Sequence, residues 1–183
     1  APELAIKLHT ALLASGNTAE AEKSAATWTK EHPKDIAFRM HLGDIATASK
    51  DYPAATQHYR NALEIQPNNA LVLNNLAWVS GEMKSPKAME YAEKANLLSP
   101  NQPPFMDTMA MLLVSKGETA KAIELLRKAL EISPQATAIQ LNLAKVLIGA
   151  GRKDEARKEL DALAKLGEKF TAQSEVARLQ KDL

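Results

Sequence analysis

Apolar side chains return along this chain at a helical beat nested inside a longer one. In residues 36–69, Met40, Leu42 and Ile45 recur at helical spacing; after a polar break at Lys50-Asp51, Ala55, Tyr59, Ala62 and Leu63 do so again. That pattern predicts two helices joined by a short turn. Leu8, Leu42, Leu76, Met109 and Leu143 then mark one position 34, 34, 33 and 34 residues apart. The next position holds His9, Gly43, Ala77, Ala110 and Ala144, and a later one is always alanine: Ala21, Ala55, Ala88, Ala122 and Ala156. Four repeats close on Pro33, Pro67, Pro100 or Pro134, since proline lacks an amide donor and clashes with the preceding turn; the fifth has Gly167 and Glu168 instead. A two-helix unit of this length cannot bury its apolar face alone and stacks on its neighbours, with the column leucines turned into the stack.

The polar breaks inside the repeats are Gly16-Asn17-Thr18, Lys50-Asp51, Lys84-Ser85-Pro86, Gly117-Glu118-Thr119 and Gly151-Arg152-Lys153-Asp154. Glycine ends the first helix, Asn, Asp, Ser or Thr caps the second, and Pro86 suits a first helical turn. Alternating β-branched runs and hairpin turns are missing, so no strand is expected. The units run 2–35, 36–69, 70–102, 103–136 and 137–170, the third one residue short around Lys84–Lys87. Residues 171–183 read as one closing helix, with Val176 and Leu179 inward and Gln173, Glu175, Arg178, Lys181 and Asp182 outward, shielding the last apolar face. The chain opens at Ala1-Pro2 inside a repeat. It reads as the C-terminal segment of a longer protein, or as a mature N-terminus left by processing.

Leu42-Gly43, Tyr52, Ala55, Tyr59, Ala62 and Pro67 lie as in the tetratricopeptide (TPR) repeat, which the whole of 2–170 resembles. The first repeat departs most, with His9 in the small-residue column and Trp28 where others carry alanine or leucine. The resemblance implies an all-α, right-handed superhelical solenoid of about five helix–turn–helix repeats plus a capping helix. It also implies first helices lining a concave groove that binds a partner protein or peptide. Residues 68–78 (Asn-Asn-Ala-Leu-Val-Leu-Asn-Asn-Leu-Ala-Trp), Tyr91–Asn96, the phrases Ser99–Pro103 and Met106–Ala110, and Leu163–Phe170 are similar to the C-terminal repeats of bacterial TPR lipoproteins encoded with exosortase (PEP-CTERM) sorting and exopolysaccharide export. That narrower resemblance implies a periplasmic or envelope-associated assembly protein; composition alone leaves the cytoplasm open.

On such a face the groove residues are those rotated away from the column leucines. They are Met40 and Asp44 in the second repeat, Leu71, Asn74, Trp78 and Glu82 in the third, Asp107 and Met111 in the fourth, and Leu141 and Lys145 in the fifth, with Asn75 added as the amide next to Asn74. Apolar anchors alternate with polar groups, which suits a peptide whose side chains enter apolar pockets while polar contacts fix its orientation. Trp78 is the leading anchor, because tryptophan concentrates at interface hot spots; its bland alternative is a filler between repeats. Met111 is an adaptable contact or simple packing. Asn74 and Asn75 offer amides to a peptide backbone, or else Asn75 bonds neighbouring main chain and Asn74 is solvated. Asp107 is a groove group or a polar first turn favoured by the helix dipole. The lysine–arginine–asparagine clamp with which some TPR domains hold a C-terminal carboxylate finds only Asn75 of the matching type.

Net charge is +1 with 25% charged residues, so no global field draws nucleic acid or an anionic membrane, and basic residues do not interleave with aromatics. No apolar run reaches the roughly 20 residues of a membrane span, so this segment is not expected to insert in a bilayer. The absence of cysteine excludes disulfides and thiolate metal sites. His9, His32, His41 and His58 show no metal-binding spacing, and no nucleophile elbow or phosphate loop occurs. No enzyme, metal or cofactor is therefore expected. Two classes remain: a peptide-binding scaffold, and a spacer or self-associating segment (through the uncapped first repeat) of a longer solenoid.

Overall fold

The computed structural model describes residues 1–183 as eleven α-helices with no strand. They are α1 (Pro2–Ala14), α2 (Thr18–Glu31), α3 (Ile36–Ala48), α4 (Tyr52–Ile65), α5 (Ala70–Glu82), α6 (Ala88–Leu98), α7 (Pro103–Ser115), α8 (Thr119–Ile132), α9 (Thr137–Gly149), α10 (Lys153–Ala164) and α11 (Gln173–Lys181). The chain divides into two compact units, 1–94 and 95–183, with the division inside α6. The first ten helices follow one another as five pairs, and α11 closes the chain. Pro86, expected in the first turn of a helix, lies in the linker instead: α6 begins only at Ala88, after five linking residues where the other four hairpins have three.

Caps and turns follow side-chain chemistry. Asp35, Asp51 and Asn69 each accept a hydrogen bond from the backbone N–H three residues on, at 3.1 Å, satisfying donors that open α3, α4 and α5. Asn17, by contrast, makes no such bond at α2. Between paired helices the backbone must turn through positive φ. Gly117 does so without strain at +80°, whereas Lys50 (+62°) and Lys84 (+54°) adopt the same bend despite a Cβ.

In the first unit the core is built from Ala46, Ala55, Tyr59, Ala62, Val72, Leu76 and Val79, with α4 lying between α3 and α5. The alanine columns are fully buried, Ala21 and Ala55 at 0% exposure, which lets helix axes approach closely. Gly43 is the tightest point: a Cβ there would sit 2.5 Å from Cε1 of Tyr59. The two residues are complementary in size, glycine beneath the largest fully buried side chain.

The column rule fails at Leu8. Leu76 and Leu143 are buried at 0% and 1%, but Leu8 is 54% exposed and Leu4, on the same stripe of α1, 67% exposed. The matching stripe of α5 is covered by α4, whereas no helix lies over this face of α1.

In the second unit α8 packs on α7 and α9, and α10 on α9 and α11. Leu141, Ala144, Leu160, Leu163, Phe170 and Val176 form its closing core. Val176 and Leu179 point inward as expected, while Gln173 and Glu175 do not simply face water. Gln173 Nε2 donates to the carbonyls of Leu163 (2.7 Å) and Gly167 (3.0 Å), tying α11 to the end of α10 and the turn after it, and Glu175 pairs with Lys145.

Gly43→Ala should lower unfolding stability by about 1–2 kcal/mol, since overpacking against Tyr59 outweighs the helix propensity gained. Gly43→Ala with Tyr59→Leu should recover most of that loss, because Ala110 and Ala144 stand in the same column in repeats whose second helices carry Leu126 and Leu160 at the Tyr59 position. Chemical denaturation of the three proteins checks this; an unchanged midpoint for Gly43→Ala contradicts the packing.

Candidate functional site

On the first-helix face of residues 1–94, three helices bring polar and aromatic groups together. Tyr59, fully buried, crosses the hairpin from α4 and its hydroxyl donates to Oδ1 of exposed Asp44 at 2.6 Å. Asn75 on α5 donates its Nδ2 to the same oxygen at 3.3 Å, and Thr47 Oγ1 lies 3.3 Å from the tyrosine hydroxyl. Burial, then the hydrogen bond to Asp44, raise the Tyr59 pKa far above its ordinary 10.0, so the phenol stays a donor. The Asp44 carboxylate is therefore anchored by uncharged donors.

One turn beyond Asn75, Trp78 is 41% exposed, its ring edge-on to Tyr52 with centroids 6.0 Å apart. Tyr52 donates to Oε2 of Glu82 at 3.4 Å. Leu71, 49% exposed, completes the stripe on α5. No cationic side chain pairs with Asp44 or Glu82; every ion pair in the chain lies between Glu118 and Arg178.

Asn74 is not part of this surface. It is only 8% exposed, and its Oδ1 is buried without a hydrogen-bond partner, a cost of about 1–3 kcal/mol. On an ideal helix Leu71, Asn75, Trp78 and Glu82 fall within about 60° of one another, and Asn74 lies outside that sector. Asn75, expected to bond main chain if not a ligand, instead bonds a side chain. Met40 is partly buried against the first unit's core.

In the second unit the expected groove residues are largely engaged within the protein. Asp107 accepts two 3.0 Å bonds from Asn142, and burial, opposed by that amide, raises its pKa. Lys145 forms a 2.7 Å ion pair with Glu175 of the closing helix. Leu141, read as an exposed anchor, is 5% exposed because it belongs to the closing core with Phe170 and Val176. Met111 is partly buried. No three His, Asp or Glu side chains come together in a metal-holding arrangement, and no helix is long and apolar enough to cross a membrane.

Two features escaped the sequence reading. One is the Tyr59 hydroxyl; a tyrosine in a packing column was itself a signal, since its buried ring obliges the O–H to find a partner. The other is a contact between His9 and His41, 32 residues apart, which no local spacing marks.

The tetratricopeptide-repeat family pattern matches residues 7–70 and again 113–183. The chain is 26% identical over 139 residues to the TPR repeat-containing protein PA4667 of Pseudomonas aeruginosa, covering 73% of this chain and 24% of that protein. It is 27% identical over 103 residues to small glutamine-rich tetratricopeptide repeat-containing protein 2 of Mycosarcoma maydis, covering 56% and 29%. The chain thus spans less than a third of the length of either relative. Among solved structures, PilW, described as a widely conserved type IV pilus biogenesis factor, superposes with a TM-score of 0.80 at 21% identity, covering 97% of this chain and 85% of that one. Pseudomonas aeruginosa PilF gives 0.74 at 22% identity, covering 99% and 86%. At those identities the likeness shows the fold.

A tyrosine with a raised folded pKa stabilises the fold fully below pH 10.0, and that contribution is lost as pH rises through the folded value. In an ultraviolet titration Tyr59 should ionise only together with alkaline unfolding, and Tyr59→Phe should remove that late component. Complete tyrosine ionisation before unfolding contradicts the Asp44 anchor.

Proposed function

The chain belongs to the tetratricopeptide-repeat family, and from that premise we propose that it is a non-catalytic scaffold whose first-helix face binds a partner polypeptide, with Asp44, Asn75 and Trp78 as the principal contacts. The observation that carries this reading is Trp78: a half-exposed indole one turn from Asn75, whose amide, with the Tyr59 hydroxyl, orients the Asp44 carboxylate, which has no cation of its own. Such a surface suits a segment with a lysine or arginine next to an apolar side chain. The cation meets Asp44 and the indole face, and the apolar group lies against Leu71 and Trp78. Cation–aromatic contact adds roughly 0.5–1 kcal/mol at an exposed site, so affinity depends on both parts.

The setting we propose is the bacterial envelope, in exopolysaccharide export or protein sorting, with the segment periplasmic. The phrases within 68–78, 91–96, 99–110 and 163–170 support it, as does fold likeness to a pilus biogenesis factor.

A second reading, self-association, is favoured by the bare stripe on α1. Leu4, Ala5 and Leu8 line a groove of about 480 Å³ with Thr27 and Trp28 of α2. A second copy laid on that groove would cover Leu4 and Leu8 as α4 covers the matching stripe of α5. Sedimentation equilibrium tests this: a mass that rises with concentration, and stays monomeric in Leu8→Glu, supports it. A concentration-independent monomer contradicts it.

Selection from a random peptide display library tests the main proposal. Peptides should be enriched in Lys or Arg adjacent to an apolar residue, and their binding should fall at least tenfold with Trp78→Ala and weaken with salt. Enrichment unaffected by Trp78→Ala in a folded protein contradicts the site. Enrichment of acidic peptides contradicts the stated partner chemistry.

A further inference from the structure

The first two hairpins meet at a joint unlike any other in the chain. His9 on α1 and His41 on α3 lie with Nδ1 and Nε2 2.9 Å apart, their rings nearly perpendicular at 88°. Phe38 packs beside both, at ring-centroid distances of 6.0 and 5.8 Å. His9 is 5% exposed. Repeat positions matching His9 hold Gly43, Ala77, Ala110 and Ala144, and those matching His41 hold Asn75, Thr108 and Asn142. Only this joint places two titratable rings in contact. Its other polar tie is a 2.7 Å bond from Trp28 Nε1 to Oδ2 of Asp35, and no ion pair reinforces it.

We propose that the joint is a proton-operated release: neutral His9 and His41 hold α1 on α3, and mild acidification loosens the hairpin α1–α2. The inference does not depend on what the first-helix face binds. A single N–H···N bond needs one ring nitrogen to donate and the other to accept. One added proton leaves that bond possible, with an imidazolium as donor. A second requires both facing nitrogens to carry hydrogen, which removes the acceptor and sets two positive rings against each other.

The surroundings do not compensate. Burial lowers both pKa values from 6.5, and for His41 the charge of His9 lowers it further while Asp44 raises it. Asp44, on α3, is already held by Tyr59 from α4, whose hydroxyl remains protonated. The charged residues of α2 (Glu20, Glu22, Lys23, Lys30 and Glu31) are exposed, and none of them perturbs either imidazole. Glu3 and Lys7 of α1, and Arg60 and Glu64 of α4, are likewise exposed; His58 of α4, half-buried and with its own pKa lowered by burial and by Arg39, perturbs neither imidazole. Histidines with depressed folded pKa values favour the native joint above the unfolded value of 6.5, and that preference is lost progressively as pH falls below it.

Amide hydrogen exchange on the whole chain at about pH 7.5 and about pH 5 reads the joint, after correction for intrinsic rates. Residues 2–31 should exchange at least tenfold faster at the lower pH while 36–65 keep their protection. In His41→Asn, which leaves one ring to titrate, most of that response should vanish. Equal protection of 2–31 at both pH values, or a full acid response in folded His41→Asn, overturns the proposal. Should His41→Asn fail to fold, ring-proton NMR of the unmodified protein decides. His9 and His41 titrating in coupled steps below 6.5 uphold the device, and both titrating independently at 6.5 overturn it.

Discussion

Everything in this protein depends on how closely the two helices of a hairpin approach. The alanine column Ala21, Ala55, Ala122 and Ala156 is wholly buried, and Gly43 lets the Tyr59 ring lie where any Cβ would collide with it. Close approach turns large apolar side chains such as Leu76, Leu126 and Leu160 into the core, each burial contributing roughly 1.5–3 kcal/mol. The same geometry leaves one face of each first helix uncommitted by packing. Function in such a fold is therefore a matter of which side chains occupy that face and whether the protein has already engaged them.

The two units differ in this respect. In residues 95–183 the polar groups of the face are matched internally, Asp107 by Asn142 and Lys145 by Glu175, and Leu141 lies under the closing helix. Such pairs hold helices in register more than they offer themselves to a ligand. In residues 1–94 the donors and acceptors are arranged without charge neutralisation. Tyr59 and Asn75 orient Asp44, Tyr52 orients Glu82, and Trp78 keeps two-fifths of its surface in water. Anions held by neutral donors on the same face as an exposed aromatic are the reason we propose recognition there.

The repeat was legible in the sequence because it is written in volume: small residues where helices touch, proline where they end, polar pairs where they turn. Helix identity and the inward residues of the closing helix followed from those rules. The place of Pro86 did not, because α6 starts three positions later, counted from its column alanine, than α4 or α8 do from theirs, and so leaves a longer linker. Leu8 keeps the apolar type of its column, but in the uncapped first repeat it is exposed. The site was partly legible. Periodicity picked out Trp78, Asp44 and Asn74, with Asn75 offered only as the amide beside Asn74; it could not tell that Asn74 is buried and Asn75 turned to Asp44, nor foresee that α11 would bury Leu141. Contacts joining residues 32 or 35 positions apart, such as His9 with His41 and Asp107 with Asn142, arise only when repeats are stacked.

The most direct measurement is site-specific photo-crosslinking in cells, with a photoreactive phenylalanine derivative replacing Trp78 in one protein and Arg60, exposed on α4, in another. The account predicts a discrete polypeptide adduct from position 78 and none from position 60. Adducts of equal yield from both positions, or from position 60 alone, would contradict the claim that the first-helix face around Trp78 is where this protein meets its partner.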